Sequence, residues 1–117
     1  MYHRVLHIAL FGVDAEAEAA IRSVPCPERF SLDLCPHAEF DADAFTASDL
    51  AVIDLQGLES SNATFPPRKS SSKIVLRIPA EDINRLGRGI YEMVDDVWLT
   101  PMPPSLVAFR FEKLLEL

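Results

Sequence analysis

The segment Ser48-Asp49-Leu50-Ala51-Val52-Ile53-Asp54-Leu55 decides how this chain is read. Leu50 to Ile53 are apolar without a break, and a carboxylate follows at Asp54. A strand apolar on both faces needs cover on both, which places it in the middle of a sheet packed between two layers. The carboxylate then stands at its C-terminal end, where open α/β sheets gather their chemistry.

Upstream, Val5 to Phe11 form a second strand of the same kind, interrupted only by His7 and ended by Gly12. Asp14 is a natural N-cap for a helix over Ala15 to Val24. Ala17, Ala20, Ile21 and Val24 make its narrow apolar stripe, and Pro25 and Pro27 stop it. Phe30 to Leu34 alternate apolar with polar, as an edge strand with one wet face should. A short helix over Asp41 to Ala47 leads back to the opening segment.

Downstream, Gly57 to Ser72 lose periodicity, with prolines and serines and only Leu58 and Phe65 as large apolar side chains. The composition predicts a long loop with at most one helical turn. Arg68, Lys69 and Lys73 beside Ser70 to Ser72 form a small basic patch, read as a solvated loop. Lys73 to Ile78 are the fourth strand. A helix is expected from Ala80 to Met93, with Ile83, Leu86, Ile90 and Met93 on one face. Gly87 and Gly89 weaken it by about 1 kcal/mol each relative to Ala. Val97 to Leu99 are the fifth strand, and Pro103 and Pro104 open a final helix from Ser105 to the end. Strands alternating with helices predict a parallel sheet with right-handed crossovers.

Bulk properties limit the function. The 117 residues suit one domain, and 49% apolar with 25% charged residues is ordinary globular composition. A net charge of −7 argues against nucleic acid as a partner. No apolar run reaches the roughly 18 residues of a membrane span, and no signal-peptide cleavage pattern follows Tyr2-His3-Arg4, so the expected compartment is the cytoplasm. Cys26 and Cys35 are expected as free thiols. His3 and His7 would lie roughly 13 Å apart along a strand, too far for one metal ion, and His37 follows Pro36 in an expected turn.

The tail Asp95-Asp96-Val97-Trp98-Leu99-Thr100-Pro101-Met102-Pro103-Pro104-Ser105-Leu106-Val107-Ala108-Phe109-Arg110 resembles the end of a response-regulator receiver domain. Receivers typically read D-D-Y-L-x-K-P-F there, before a proline-started helix. The opening segment resembles the same family's third strand, D-L-x-x-x-D-x, and puts Asp54 at the phosphoacceptor position. The fold this implies is the flavodoxin-like five-stranded parallel sheet, order 2-1-3-4-5, sandwiched by helices, with the third helix short or absent.

The resemblance also implies a chemistry, and the residues depart from it. Phosphoryl transfer to a carboxylate needs Mg²⁺, held in receivers by an acidic pair just after the first strand. Here that region is Leu10-Phe11-Gly12-Val13, with only Asp14 following. The family's lysine falls on Thr100, whose neutral hydroxyl cannot replace a charge-assisted bond worth roughly 1.5–3 kcal/mol. The Ser/Thr ending the fourth strand falls on Ile78, and the small residue after it on Pro79. The reporting aromatic falls on Val97, with Trp98 beside it. Asp54 and the Thr100-Pro101 step remain, and that peptide bond is expected to be cis, as in the family.

The resemblance therefore implies a degenerate receiver, or pseudo-receiver, without a catalytic residue or cofactor. It would act through protein–protein contact or dimerisation on a signalling partner, such as a covalently linked output or sensor-kinase module. Met1 opens directly onto the first strand and the chain stops within its last helix, so an N-terminal module of a longer signalling protein is expected. Two rivals stay open. One is a phosphorylatable receiver that uses Asp54 and Asp14 with an atypical Mg²⁺ site. The other is a small-ligand domain binding a nucleotide or flavin at the strand ends, for which Gly12 alone is a weak signal. At about 100° per residue, Val107, Phe111 and Leu114 share one stripe of the last helix, expected to face the sheet. Leu106 and Phe109 are neighbours on a second face, expected to be the contact surface.

Overall fold

Eight residues after Met1-Tyr2-His3 already define the centre of the molecule. Strand β1 (Arg4–Phe11) pairs in parallel with both β2 (Phe30–His37) and β3 (Leu50–Asp54). Strands β4 (Lys73–Pro79) and β5 (Asp96–Thr100) complete one parallel sheet in the order β2-β1-β3-β4-β5. Helices α1 (Ala15–Arg22), α2 (Ala42–Ala47), α3 (Arg88–Met93) and α4 (Pro104–Leu115) flank it. The computed structural model describes residues 3–55, 57, 65–67 and 69–115. The expected short or absent third helix falls between β3 and β4, mostly outside the described residues.

Strand parity builds the two cores. Leu6, Ile8 and Leu10 of β1, Leu50 and Val52 of β3, Val75 and Trp98 face α1 and α4, where Ile21, Val107 and Phe111 meet them. Ala9, Phe11, Ala51, Ile53, Ile74, Leu76 and Ile78 face the other way, toward Phe45 of α2 and the partly buried Ile90 and Tyr91 of α3. Both faces of the central strands are thus dry, which is why their sequences do not alternate. An aromatic chain reinforces the second face, running from Phe11 through Phe40 and Phe45 to Phe65, whose ring stacks on Phe45 at 5.6 Å. The Phe65 ring and a hydrogen bond from Thr46 Oγ1 to the Pro67 carbonyl hold residues 65–67 against α2.

Two acids at strand entrances set the register. Asp49 accepts the His7 N–H at 2.8 Å, and Asp95 accepts the Ile74 N–H at 2.8 Å. Each carboxylate stands just before its own strand and holds the first free amides of the neighbouring one, satisfying donors that the ladder leaves over. Asp49 is further neutralised by Lys69 at 3.3 Å.

Three expectations are corrected. The expected helix from Ala80 to Met93 is a 3-10 turn at Ala80–Asp82 followed by the six-residue α3. Gly87 is its N-cap, with an extended backbone at ψ 156°, so the helical pattern is cut where the two glycines lower helix propensity. Ile83 and Met93 remain exposed, and the Tyr91 hydroxyl donates to the Ile83 carbonyl to hold the turn against α3. Strand β2 continues three residues beyond Leu34, through Pro36, because an edge strand has one free side and tolerates a residue without an N–H. His37 therefore ends that strand rather than sitting in a turn, and its ring stacks on Phe11 at 5.3 Å.

Candidate functional site at the strand ends

The carboxyl ends of β1, β3, β4 and β5 open into a cleft of about 390 Å³ lined by Gly12, Asp54, Leu55, Arg77, Pro79, Asp82, Arg85 and Thr100. Parity brings the polar members together. Asp54 and Arg77 are register partners on β3 and β4, two residues beyond Val52 and Val75 on the same face. Thr100 stands in the same relation to Trp98 on β5.

Asp54 is held tightly at the floor of this cleft. Its Oδ1 accepts the Gly57 N–H at 2.7 Å, the reach of an N-cap side chain to the helical backbone that begins at Leu55. Its carboxylate also leans across Gly12. A Cβ added to Gly12 would stand 2.1 Å from Asp54 Oδ2, and Gly12 has a φ of +71° that favours glycine. Phe11, the residue before, is buried in the opposite core. The strand end that carries an acidic pair in receivers here carries an inward-turned phenyl ring and a glycine whose open side Asp54 covers.

Asp14 has two roles. Its Oδ1 accepts the Ala17 N–H at 3.3 Å as the N-cap of α1, and the same oxygen is 3.1 Å from Arg77 Nη2. Asp54 thus bonds a backbone N–H, and Arg77 pairs with Asp14. Arg77 is the residue that sequence reasoning undervalued. Its signal was a charge inside the otherwise apolar run Ile74-Val75-Leu76-Arg77-Ile78, where a central strand must supply a partner.

The other positions of the expected site also have definite places. Ile78 is fully buried in the second core and contributes no hydroxyl to the cleft. Thr100 lines the cleft, and the Thr100–Pro101 bond is cis, as expected. Among the described residues no group of three His, Cys, Asp or Glu side chains converges where a metal ion could be held. With Asp14 already engaged by a guanidinium and Gly12 covered by Asp54, these residues do not fit the Mg²⁺ shell of a receiver.

At the edge of the sheet, Asp96 gathers a second network. It accepts Trp98 Nε1–H at 2.9 Å and the Arg110 guanidinium at 3.0 Å, joining β5 to α4. On α4, Val107 and Phe111 are buried, whereas Leu106 is 38% and Phe109 55% exposed. Lys113 lies over the Phe109 ring at 5.6 Å. The helix thus carries an inner and an outer apolar face.

Comparison with solved structures follows this geometry. A CheY-like response regulator receiver domain from Methylobacillus flagellatus superposes with a TM-score of 0.59 at 18% identity, covering 95% of this chain and 99% of that one. The fold is that of a receiver domain. The receiver (REC) domain of AraT, a response regulator from Geobacillus stearothermophilus, gives a TM-score of 0.60 at 14% identity, covering 97% and 95% of the two chains. The pilus assembly protein CpaE from Caulobacter crescentus CB15 gives 0.57 at 16% identity, covering 94% and 98%. No family model and no curated protein matches the sequence. The receiver fold is therefore shared with proteins of more than one description. Among the described residues no helix is long and apolar enough to cross a membrane.

Proposed function

We propose that this chain is a pseudo-receiver, a non-catalytic signalling domain that keeps the receiver scaffold and works through protein–protein contact. The observation that carries this reading is the Asp14–Arg77 ion pair at 3.1 Å, which places a fixed guanidinium where phosphoryl chemistry needs a free carboxylate for Mg²⁺. Thr100 in the lysine position and the buried Ile78 in the Ser/Thr position support it. Without those groups, charge developing on a transferred phosphoryl group has little to stabilise it.

The contact surface in this reading is the outer face of α4, with Leu106 and Phe109 as its apolar anchors. An exposed Leu–Phe pair forgoes roughly 1.5–3 kcal/mol of burial per side chain, which a partner recovers. The partner is a second copy of the chain or a signalling protein, including an output or kinase module in the same polypeptide. The likeness to a pilus assembly protein as well as to response regulators fits a fold used as an interaction module rather than only as a phosphorylation switch.

Incubation with acetyl phosphate and Mg²⁺, followed by intact-mass measurement, tests the proposal. The wild-type chain is expected to gain no more phosphoryl mass than Asp54→Asn. A phosphoryl adduct that maps to Asp54 would restore the phosphorylatable receiver with an atypical Mg²⁺ site.

A further inference from the structure

Arg77 and the acids around it each solve a problem the other creates. The Arg77 side chain is only 15% exposed, and its buried Nε has no hydrogen-bond partner among the described residues, so the charge depends on what meets its Nη groups. A guanidinium in a central strand is costly unless a carboxylate neutralises it. Asp14 follows β1 and Asp54 ends β3, so both carboxylates belong to the carboxyl end of the sheet, where a cation offsets their charge. Arg77 meets Asp14 at 3.1 Å and stands beside Asp54 in the β3–β4 register.

We infer that Arg77 is the resident cation of this site. Its guanidinium takes the electrostatic place of a cation beside the strand-end acids, so part of their negative charge is offset from within and the attraction for Mg²⁺ is lowered. This rests on the pseudo-receiver reading and extends it by naming the side chain that silences the site. A covalently built-in cation cannot dissociate, so this offset persists whatever the metal concentration.

Paramagnetic broadening of backbone amides by Mn²⁺ tests the assignment, using the wild-type chain, Arg77→Gln, Arg77→Met and the remote charge-matched control Arg22→Gln. Removing one positive charge near the ion removes a repulsion worth about tenfold or more in affinity. The Arg77 variants are therefore expected to bind Mn²⁺ about tenfold tighter than wild type, with broadening centred on Gly12 and Asp54, while Arg22→Gln stays like wild type. Arg77 variants that respond no more than wild type would overturn the resident-cation assignment and leave the pseudo-receiver reading standing. Saturable Mn²⁺ binding at Gly12 and Asp54 in wild type would overturn both. Should both Arg77 variants fail to fold, rotation about the Arg77 Nε–Cζ bond in the wild-type chain decides. Slow rotation compared with the exposed Arg88 is expected; equally fast rotation would overturn the assignment.

Discussion

The Asp54 carboxylate lies against the open side of Gly12, so close that a methyl group there would meet Oδ2 at 2.1 Å. Asp54, which the receiver resemblance puts at the phosphoacceptor position, is here packed against the backbone turn that ends β1. Gly12 also holds a left-handed backbone, with φ at +71°.

Gly12→Ala should therefore be strongly destabilising. The left-handed conformation alone costs about 1–2 kcal/mol for an L-residue, and displacing Asp54 adds to it. In an Asp54→Ala background the cost should fall toward the backbone share, so chemical denaturation of the four chains should show coupling between the two sites. Strict additivity would mean that Asp54 does not press on Gly12.

Trp98 and Arg110 share Asp96 but not its importance. Trp98 is fully buried, and Trp98→Phe removes a hydrogen bond to a charged acceptor, a loss of about 1.5–3 kcal/mol. Arg110 is 44% exposed, so Arg110→Ala should cost less than about 1 kcal/mol. Urea unfolding of the two variants measures the difference, and an equal or reversed order would refute it.

Much of this was legible in the sequence because the dry strands announce themselves. Leu50 to Ile53 and Ile74 to Leu76 are apolar on both faces, and that pattern has few structural meanings. The cap at Asp14 and the inner stripe Val107–Phe111 were readable from local chemistry alone. The stretch from Ala80 to Met93 was not, since its helical spacing competes with Gly87 and Gly89, and the glycines won over part of it. The edge position of β2 did show, in the alternation of Phe30 to Leu34, but its continuation through Pro36 was missed. At the site, the missing acids and lysine could be counted in sequence. That Arg77 would turn to Asp14, while Asp54 bonded a backbone amide, depended on distances no spacing encodes.

The two faces of α4 predict opposite mutational effects. Phe111→Ala should cost about 3–5 kcal/mol of stability, because a buried phenyl leaves a cavity between the helix and the sheet. Phe109→Glu should change stability by no more than about 0.5 kcal/mol while weakening self-association or partner binding in sedimentation velocity. Association unchanged in Phe109→Glu would remove this helix as the contact surface.

Cys35 offers a pH-dependent check on β2. Burial pushes its thiol above the ordinary value, and the Asp33 carboxylate raises it further through its charge and a hydrogen bond. Cys26 is raised by burial alone. Thiolate and alkylation rate therefore rise at higher pH than for a free thiol. Asp33→Asn should shift the Cys35 alkylation profile to lower pH and leave that of Cys26 in place. A shift of both profiles, or of neither, would contradict this electrostatic assignment.

The most direct test of the central claim is an amide spectrum recorded with and without millimolar Mg²⁺ and beryllofluoride, a mimic of the phosphorylated carboxylate. A pseudo-receiver whose Asp14 is held by Arg77 should show unchanged resonances for Gly12, Asp14, Asp54 and Thr100. Saturable shifts centred on Asp14 and Asp54 would show a working acceptor site and contradict it.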